Sequence, residues 1–150
     1  MQDDKLELKA WLRLLTCTNL IEGQVRTLLR ERFDTTLPRF DLLAQLQRSP
    51  AGLSMGELSS RLMVTGGNVT ALVDALEQDG LVARGSHPSD RRSQVIRLTP
   101  KGRRVFNEMT PAHEQWVDAL MAKVSRADLA ALFQLLGKLK SSVQEAGRKT

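Results

Sequence analysis

The sequence predicts a mainly α-helical chain that carries one small β-hairpin. Apolar residues recur at helical spacing over most of its 150 residues. At one place only, the period changes to two short runs of strand-forming residues, 81–84 and 94–98. The breaks between elements are short clusters of Pro, Gly, Ser, Thr and Asp rather than long linkers. With no internal repeat and no low-complexity segment, residues 1–150 read as one domain.

The first helix is expected over about 5–32, a stretch without proline in which Leu8, Trp11, Leu12, Leu15, Leu20, Leu28 and Leu29 fall mostly at helical separations. Residues 34–38 break it. Pro38 suits the first turn of a second helix that turns Phe40, Leu42, Leu43 and Leu46 inward, and Ser49-Pro50-Ala51-Gly52 ends that helix. Ser54 and Glu57 form a capping box that opens a short helix to about Leu62. A turn at Met63-Val64 follows, with Thr65 as the cap of the next helix. Val69, Leu72, Val73 and Leu76 make that helix amphipathic, and Gly80 suits a left-handed stop. The two strands enclose a polar, turn-rich loop over 85–93. Thr99-Pro100 starts a helix running to about Lys123, which Pro111 should kink. In the last helix, Leu129, Leu132, Leu136, Leu139 and Val143 step by threes and fours, a seam that suits a partner helix.

Bulk properties narrow the function. The chain is 41% hydrophobic and 26% charged, with no apolar run near the roughly 20 residues a membrane helix needs, so no membrane role is expected. The polar start Met1-Gln2-Asp3-Asp4-Lys5 does not resemble a secretory signal, and a single cysteine, Cys17, fits a cytoplasmic protein. Net charge is +5 and the pI about 9.9. Between Arg84 and Arg104 stand seven basic residues and one acid, Asp90, a local charge of +6 that exceeds the surplus of the whole chain. Charge this concentrated points to a polyanion.

Helix, turn, amphipathic helix, strand, basic loop, strand is an order with a use on duplex DNA. The helix from Thr65 buries its apolar stripe and offers Thr65, Gly67, Asn68 and Thr70, small or hydrogen-bonding residues that let a helix enter a major groove. The loop puts Arg91 and Arg92 within reach of an adjacent minor groove, with Lys101, Arg103 and Arg104 behind for phosphates. Asp74, on the same helix, is expected to pair internally, because a carboxylate facing phosphate is costly.

The run 53–104, LSMGELSSRLMVTGGNVTALVDALEQDGLVARGSHPSDRRSQVIRLTPKGR, resembles the winged helix-turn-helix core of the MarR family. The resemblance rests on the helix end Leu58 to Leu62, on Asn68-Val69-Thr70, on the run from Leu76 to Val82, on Asp90-Arg91-Arg92 and on Leu98-Thr99-Pro100-Lys101-Gly102. It implies a DNA-binding lobe over 37–104, flanked by dimerisation helices over 5–36 and 111–147. It also implies a homodimer on a pseudo-palindromic operator in double-stranded DNA. Repression would be relieved by a small molecule bound between lobe and dimerisation helices. In the family the wing aspartate braces an arginine while a wing arginine enters the minor groove; these roles carry to Asp90 and to Arg91 or Arg92.

The effector site is assigned to Trp11, Leu15, Asn19, Arg39, Phe40, Leu43, Met109, His113 and Trp116, an apolar set with few polar anchors. Each is equally a core or surface residue when taken singly. Residues 32–43 are similar to family members that control aromatic-acid degradation, which implies an aromatic carboxylate or its coenzyme A thioester as effector. Some members sense peroxide through a first-helix cysteine aided by tyrosines; this chain has no tyrosine, so Cys17 reads as buried and inert. Cys17, His87 and His113 lack metal-ligand spacing, Gly66-Gly67 lacks the lysine of a phosphate loop, and no nucleophile, base and acid stand together. No cofactor, metal or catalysis is therefore expected. Two rivals stand beside the regulator: an architectural DNA-binding factor without an effector, and a protein–protein interaction module built on the last helix.

Overall fold

The computed structural model describes residues 4–62 and 66–148. Among the described residues, six helices and one two-stranded antiparallel sheet follow the predicted order: α1 (Leu6–Phe33), α2 (Leu37–Gln47), α3 (Met55–Leu62), α4 (Gly66–Gln78), β1 (Val82–His87), β2 (Asp90–Leu98), α5 (Pro100–Leu120) and α6 (Arg126–Arg148). The chain forms two compact units, Met1–Glu114 and Gln115–Thr150. Among the described residues no helix is long and apolar enough to cross a membrane.

Local chemistry sets most boundaries in the first unit. Asp34 adopts a left-handed conformation (φ 49°) and stops α1, its N–H bonding to the Arg30 carbonyl at 3.1 Å. The Thr36 hydroxyl accepts the Arg39 N–H at 3.3 Å and caps α2, with Pro38 in the first turn. The capping box on α3 forms in both directions: Glu57 N–H to Ser54 Oγ at 3.1 Å and Ser54 N–H to Glu57 Oε1 at 3.2 Å. These bonds hold the Glu57 carboxyl below its ordinary pKa. The expected turn at Met63-Val64 and the Thr65 cap lie outside the described residues. At the end of α4, Gly80 (φ 77°) lets Leu81 N–H reach Leu76 O at 2.9 Å and Gly80 N–H reach Glu77 O at 3.0 Å, the paired bonds of a Schellman stop. Thr99 then ties α5 to that stop, donating to the Gly80 carbonyl at 2.6 Å and accepting the Gly102 N–H at 3.0 Å.

The core of this unit is wholly apolar among the described residues. Leu29 from α1, Leu42, Leu43 and Leu46 from α2, Leu58 from α3, Val69, Val73 and Leu76 from α4, and Val82, Val95 and Ile96 from the hairpin are its centre. Leu53 bridges Ile96 through two backbone bonds, Leu53 N–H to Ile96 O at 3.0 Å and Ile96 N–H to Leu53 O at 2.7 Å. The hairpin is thereby stitched to the loop before α3, and a winged helix-turn-helix results.

Two expectations need correction. The hairpin does not carry a nine-residue loop: its strands run on to His87 and Asp90, leaving Pro88-Ser89 at the tip. The ladder absorbs the surplus as a bulge, since Ser86 pairs with Gln94 but His87 pairs with Asp90, leaving Arg91, Arg92 and Ser93 unpaired on β2. A polar composition hid this, because a bulged strand end needs no apolar alternation. Cys17 is exposed, not buried, because the buried residues of α1 are Val25 and Leu29, beyond it in sequence. Pro111 lies inside α5, as expected, and the helix runs on to Leu120.

In the second unit α6 is capped by Ser125, whose Oγ accepts the Asp128 N–H at 3.1 Å. Leu132, Leu136, Leu139 and Val143 of the predicted seam are exposed, as are Phe133 and Leu135.

Candidate nucleic-acid interface

The amphipathic stripe of α4 forms as the sequence implies, except that Leu72 is only half-buried. Val69, Val73 and Leu76 are buried, while Asn68, Thr70, Ala71 and Asp74 are exposed along the other side. Gly67 falls in the first turn of α4, and Thr65 lies outside the described residues. The exposed side of α4 is therefore hydrogen-bonding and small near its start.

Asp74 does pair internally, and its partner is Arg84 of β1. Arg84 Nη2 stands 2.6 Å from Asp74 Oδ1, and its Nη1 stands 2.6 Å from Glu77 Oε1, so one guanidinium grips two carboxylates on neighbouring positions of the α4 surface. The hydrogen bond to Asp74 is the main cause that holds the Arg84 pKa above its ordinary value. Glu77 escaped the sequence reading, although its place three residues after Asp74 puts both acids on one helical face.

The wing bulge is organised by Asp90. Its Oδ1 accepts the Arg92 backbone N–H at 3.0 Å and its Oδ2 accepts the Ser93 hydroxyl at 3.2 Å. Asp90 thus braces an arginine through its backbone, and the side chains of Arg91 and Arg92 project from an exposed bulge. At the tip, His87 Nδ1 accepts the Ser89 N–H at 3.1 Å.

Not every cation of the +6 segment faces outward unengaged. Lys101 Nζ donates to the Asp79 carbonyl at 2.9 Å and so caps α4. Arg97 donates to Ala51 O at 3.1 Å and to Ser86 O at 3.4 Å, holding the loop before α3 against β1. Arg103 and Arg104, in the first turns of α5, are exposed.

The candidate effector residues divide. Arg39, Leu43 and Met109 line one cavity of about 280 Å³ within the first unit. Phe40 packs beside them, its ring 5.4 Å from that of Phe106 and 4.7 Å from that of His113. Burial lowers the His113 pKa and favours the neutral ring. Trp11, Leu15 and Asn19 are exposed on α1 and do not line this cavity, and Trp116 belongs to the second unit. The sequence reading missed three acids of the lining, Asp34, Asp79 and Glu108. Arg39, the one cation of the lining among the described residues, is 3.9 Å from Asp79.

A model of the MarR family matches residues 33–93, from the end of α1 into the wing bulge. The HTH-type transcriptional repressor YetL of Bacillus subtilis is 34% identical over 87 residues, which are 58% of this chain and 52% of YetL. The transcriptional activatory protein BadR of Rhodopseudomonas palustris is 34% identical over 108 residues, 69% of this chain and 61% of BadR. The chain thus spans between about half and three-fifths of these two curated relatives. The crystal structure of a MarR family transcriptional regulator from Silicibacter pomeroyi is 33% identical, with a TM-score of 0.79 over 95% of this chain and 99% of that one. A shared winged fold and a third of the residues in common over nearly the full length of that regulator place the chain in the MarR family.

Proposed function

We propose that this chain is a sequence-specific transcriptional regulator that binds double-stranded DNA as a homodimer and represses until a small organic effector releases it. The observation that carries the DNA reading is the pairing of an exposed, finely polar α4 with a bulge that projects Arg91 and Arg92. In this reading Thr65, Gly67, Asn68 and Thr70 meet base edges or phosphates in the major groove, and Arg91 or Arg92 enters the minor groove. Asp90 shapes the bulge, and Arg103 contacts backbone phosphate. Lys101 contributes charge from its place at the end of α4.

Residues 37–104 are the DNA-binding lobe, and 5–36 and 111–147 hold the dimer together. The exposed apolar residues of α6, with Phe133 at 76% of its full exposure, and Leu6, Leu8, Trp11, Leu12 and Leu20 of α1 support a partner subunit. Repression accords with the name of YetL; the name of BadR makes activation the outcome to exclude.

For the effector, the cavity of about 280 Å³ lies just under the roughly 300–1,000 Å³ common for small-molecule sites. It suits a single aromatic ring better than a whole coenzyme A thioester, most of which would extend outside. Arg39 is the available anchor for a carboxylate, which would have to compete with Asp79 for it.

The test is binding to the DNA upstream of the gene, across a salt series, for wild type and Arg91→Ala/Arg92→Ala. Specific binding that falls steeply with salt and drops in the variant supports the regulator. Equal binding to scrambled DNA, with no loss in the variant, refutes it. A reporter assay fixes the sign of regulation. Aromatic acids, their amides and their thioesters are then titrated into the complex; if none raises the melting temperature or releases DNA, the chain is a constitutive factor.

A further inference from the structure

As a helix offered to a polyanion, α4 has the wrong charge. Its residues 66–78 include no lysine or arginine and two acids, Asp74 and Glu77. Both carboxylates are open to solvent, with side chains 60% and 41% exposed. Left alone, they would repel the phosphates that α4 must approach.

Arg84 answers this. It sits four residues beyond Gly80, on a strand held by the Schellman stop at one end and by its pairing with Ile96 across the ladder. From there its two terminal nitrogens reach one carboxylate each, both at 2.6 Å. A planar fork can hold two acids in this way, whereas a lysine ammonium is a single point charge. With both ends of the fork engaged, Arg84 belongs electrically to α4 rather than to the basic wing.

We propose that Arg84 is a positioning residue for DNA binding, which masks Asp74 and Glu77 so that α4 can enter the groove. This rests on α4 being the DNA-reading helix. The charge arithmetic separates masking from contact. Arg84 with its two acids sums to −1; Arg84→Ala leaves −2; Arg84→Ala combined with Asp74→Asn and Glu77→Gln leaves 0.

The experiment measures affinity for upstream and scrambled DNA for the wild type, Arg84→Ala, Asp74→Asn/Glu77→Gln, and the triple variant, between about 50 and 200 mM salt. Melting temperature is recorded for each. Masking predicts that Arg84→Ala weakens binding about tenfold at low salt, a deficit that shrinks as salt screens the bared carboxylates. The triple variant should return to within about threefold of wild type, and Asp74→Asn/Glu77→Gln should bind at least as tightly as wild type. A triple variant as weak as Arg84→Ala overturns the proposal, since either DNA contact by Arg84 or a purely mechanical brace would leave it weak. Wild type that binds both DNAs equally removes the reading of α4 itself, a failure visible before any variant is compared.

Discussion

Of the glycines whose surroundings are described, Gly102 leaves the least room for a side chain, and replacing it with alanine should be costly. A Cβ built on Gly102 would lie 1.9 Å from the Leu81 carbonyl oxygen and 2.9 Å from its carbon. An ordinary contact needs about 3.4 Å or more, so the start of α5 would have to retreat by more than 1 Å or the Leu81 peptide rotate. That retreat pulls on three bonds at the same junction: Thr99 N–H to Leu81 O at 3.0 Å, Thr99 Oγ1 to Gly80 O at 2.6 Å and Lys101 Nζ to Asp79 O at 2.9 Å. Overpacking costs about 1–3 kcal/mol and each weakened bond about 0.5–1.5 kcal/mol, against about 1 kcal/mol gained from helix propensity. Gly102→Ala should therefore destabilise by about 2–4 kcal/mol. Urea unfolding at fixed protein concentration reads this as a lower midpoint at unchanged slope. Gly56→Ala is the control: a Cβ added there would meet Ser54 Oγ at an ordinary 3.9 Å, and the residue is exposed in α3, so the same substitution should leave stability unchanged or raise it by up to about 1 kcal/mol. A Gly102→Ala midpoint equal to wild type would refute the packing of α5 against the α4–β1 turn.

Three further outcomes follow from named contacts. Ser54→Ala removes one arm of the α3 capping box and should cost about 1 kcal/mol in the same urea assay, while Ser54→Thr should retain most of it. The His113 pKa is lowered from 6.5 by burial, so the unfolded chain binds the proton more readily. Its contribution to stability is present above pH about 6.5 and is lost as pH falls, and the melting temperature of His113→Phe should decline less than that of wild type from pH 7 to 5.5. Asp90→Ala frees the Arg92 N–H and the Ser93 hydroxyl and should weaken DNA binding about as much as losing one wing arginine; Asp90→Asn, which keeps an acceptor for the Arg92 amide, should fall between.

Much of this fold was legible because its boundaries are set by local chemistry. Pro38, the Ser54–Glu57 pair, Gly80 and Thr99 each act within a few residues of themselves, and each appears in the structure where the spacing puts it. The α4 stripe was legible for the same reason. What escaped were facts that depend on pairing across the chain. The bulge at Arg91–Ser93 exists only relative to β1, and the Arg84 fork needs a strand seven to ten residues away from its acids. The cavity acids Asp34, Asp79 and Glu108 come from three separate segments with no shared period. Conversely, Trp11, Leu15 and Asn19 looked like pocket residues because apolar periodicity on a helix does not say which neighbour covers it.

The charge count shows the same division and leads to a last prediction. The sequence offers seven cations between Arg84 and Arg104. Three of them have internal partners: Arg84 with Asp74 and Glu77, Arg97 with the Ala51 and Ser86 carbonyls, and Lys101 with the Asp79 carbonyl. That leaves Arg91, Arg92, Arg103 and Arg104 as the exposed cations whose side chains have no internal partner among the described residues. Each phosphate neutralised contributes about 0.9 to the slope of log affinity against log salt. If these four supply the ionic contacts of one subunit, the slope is about −3.6 per subunit and about −7 for a dimer on two half-sites. All seven cations would give about −6 and −13. Replacing Arg97 or Lys101 should then lower stability while leaving the slope unchanged, whereas replacing Arg103 should reduce it by about 0.9 per subunit. A dimer slope near −13, or a slope that falls on replacing Arg97, would mean that the internal bonds of these cations open on DNA.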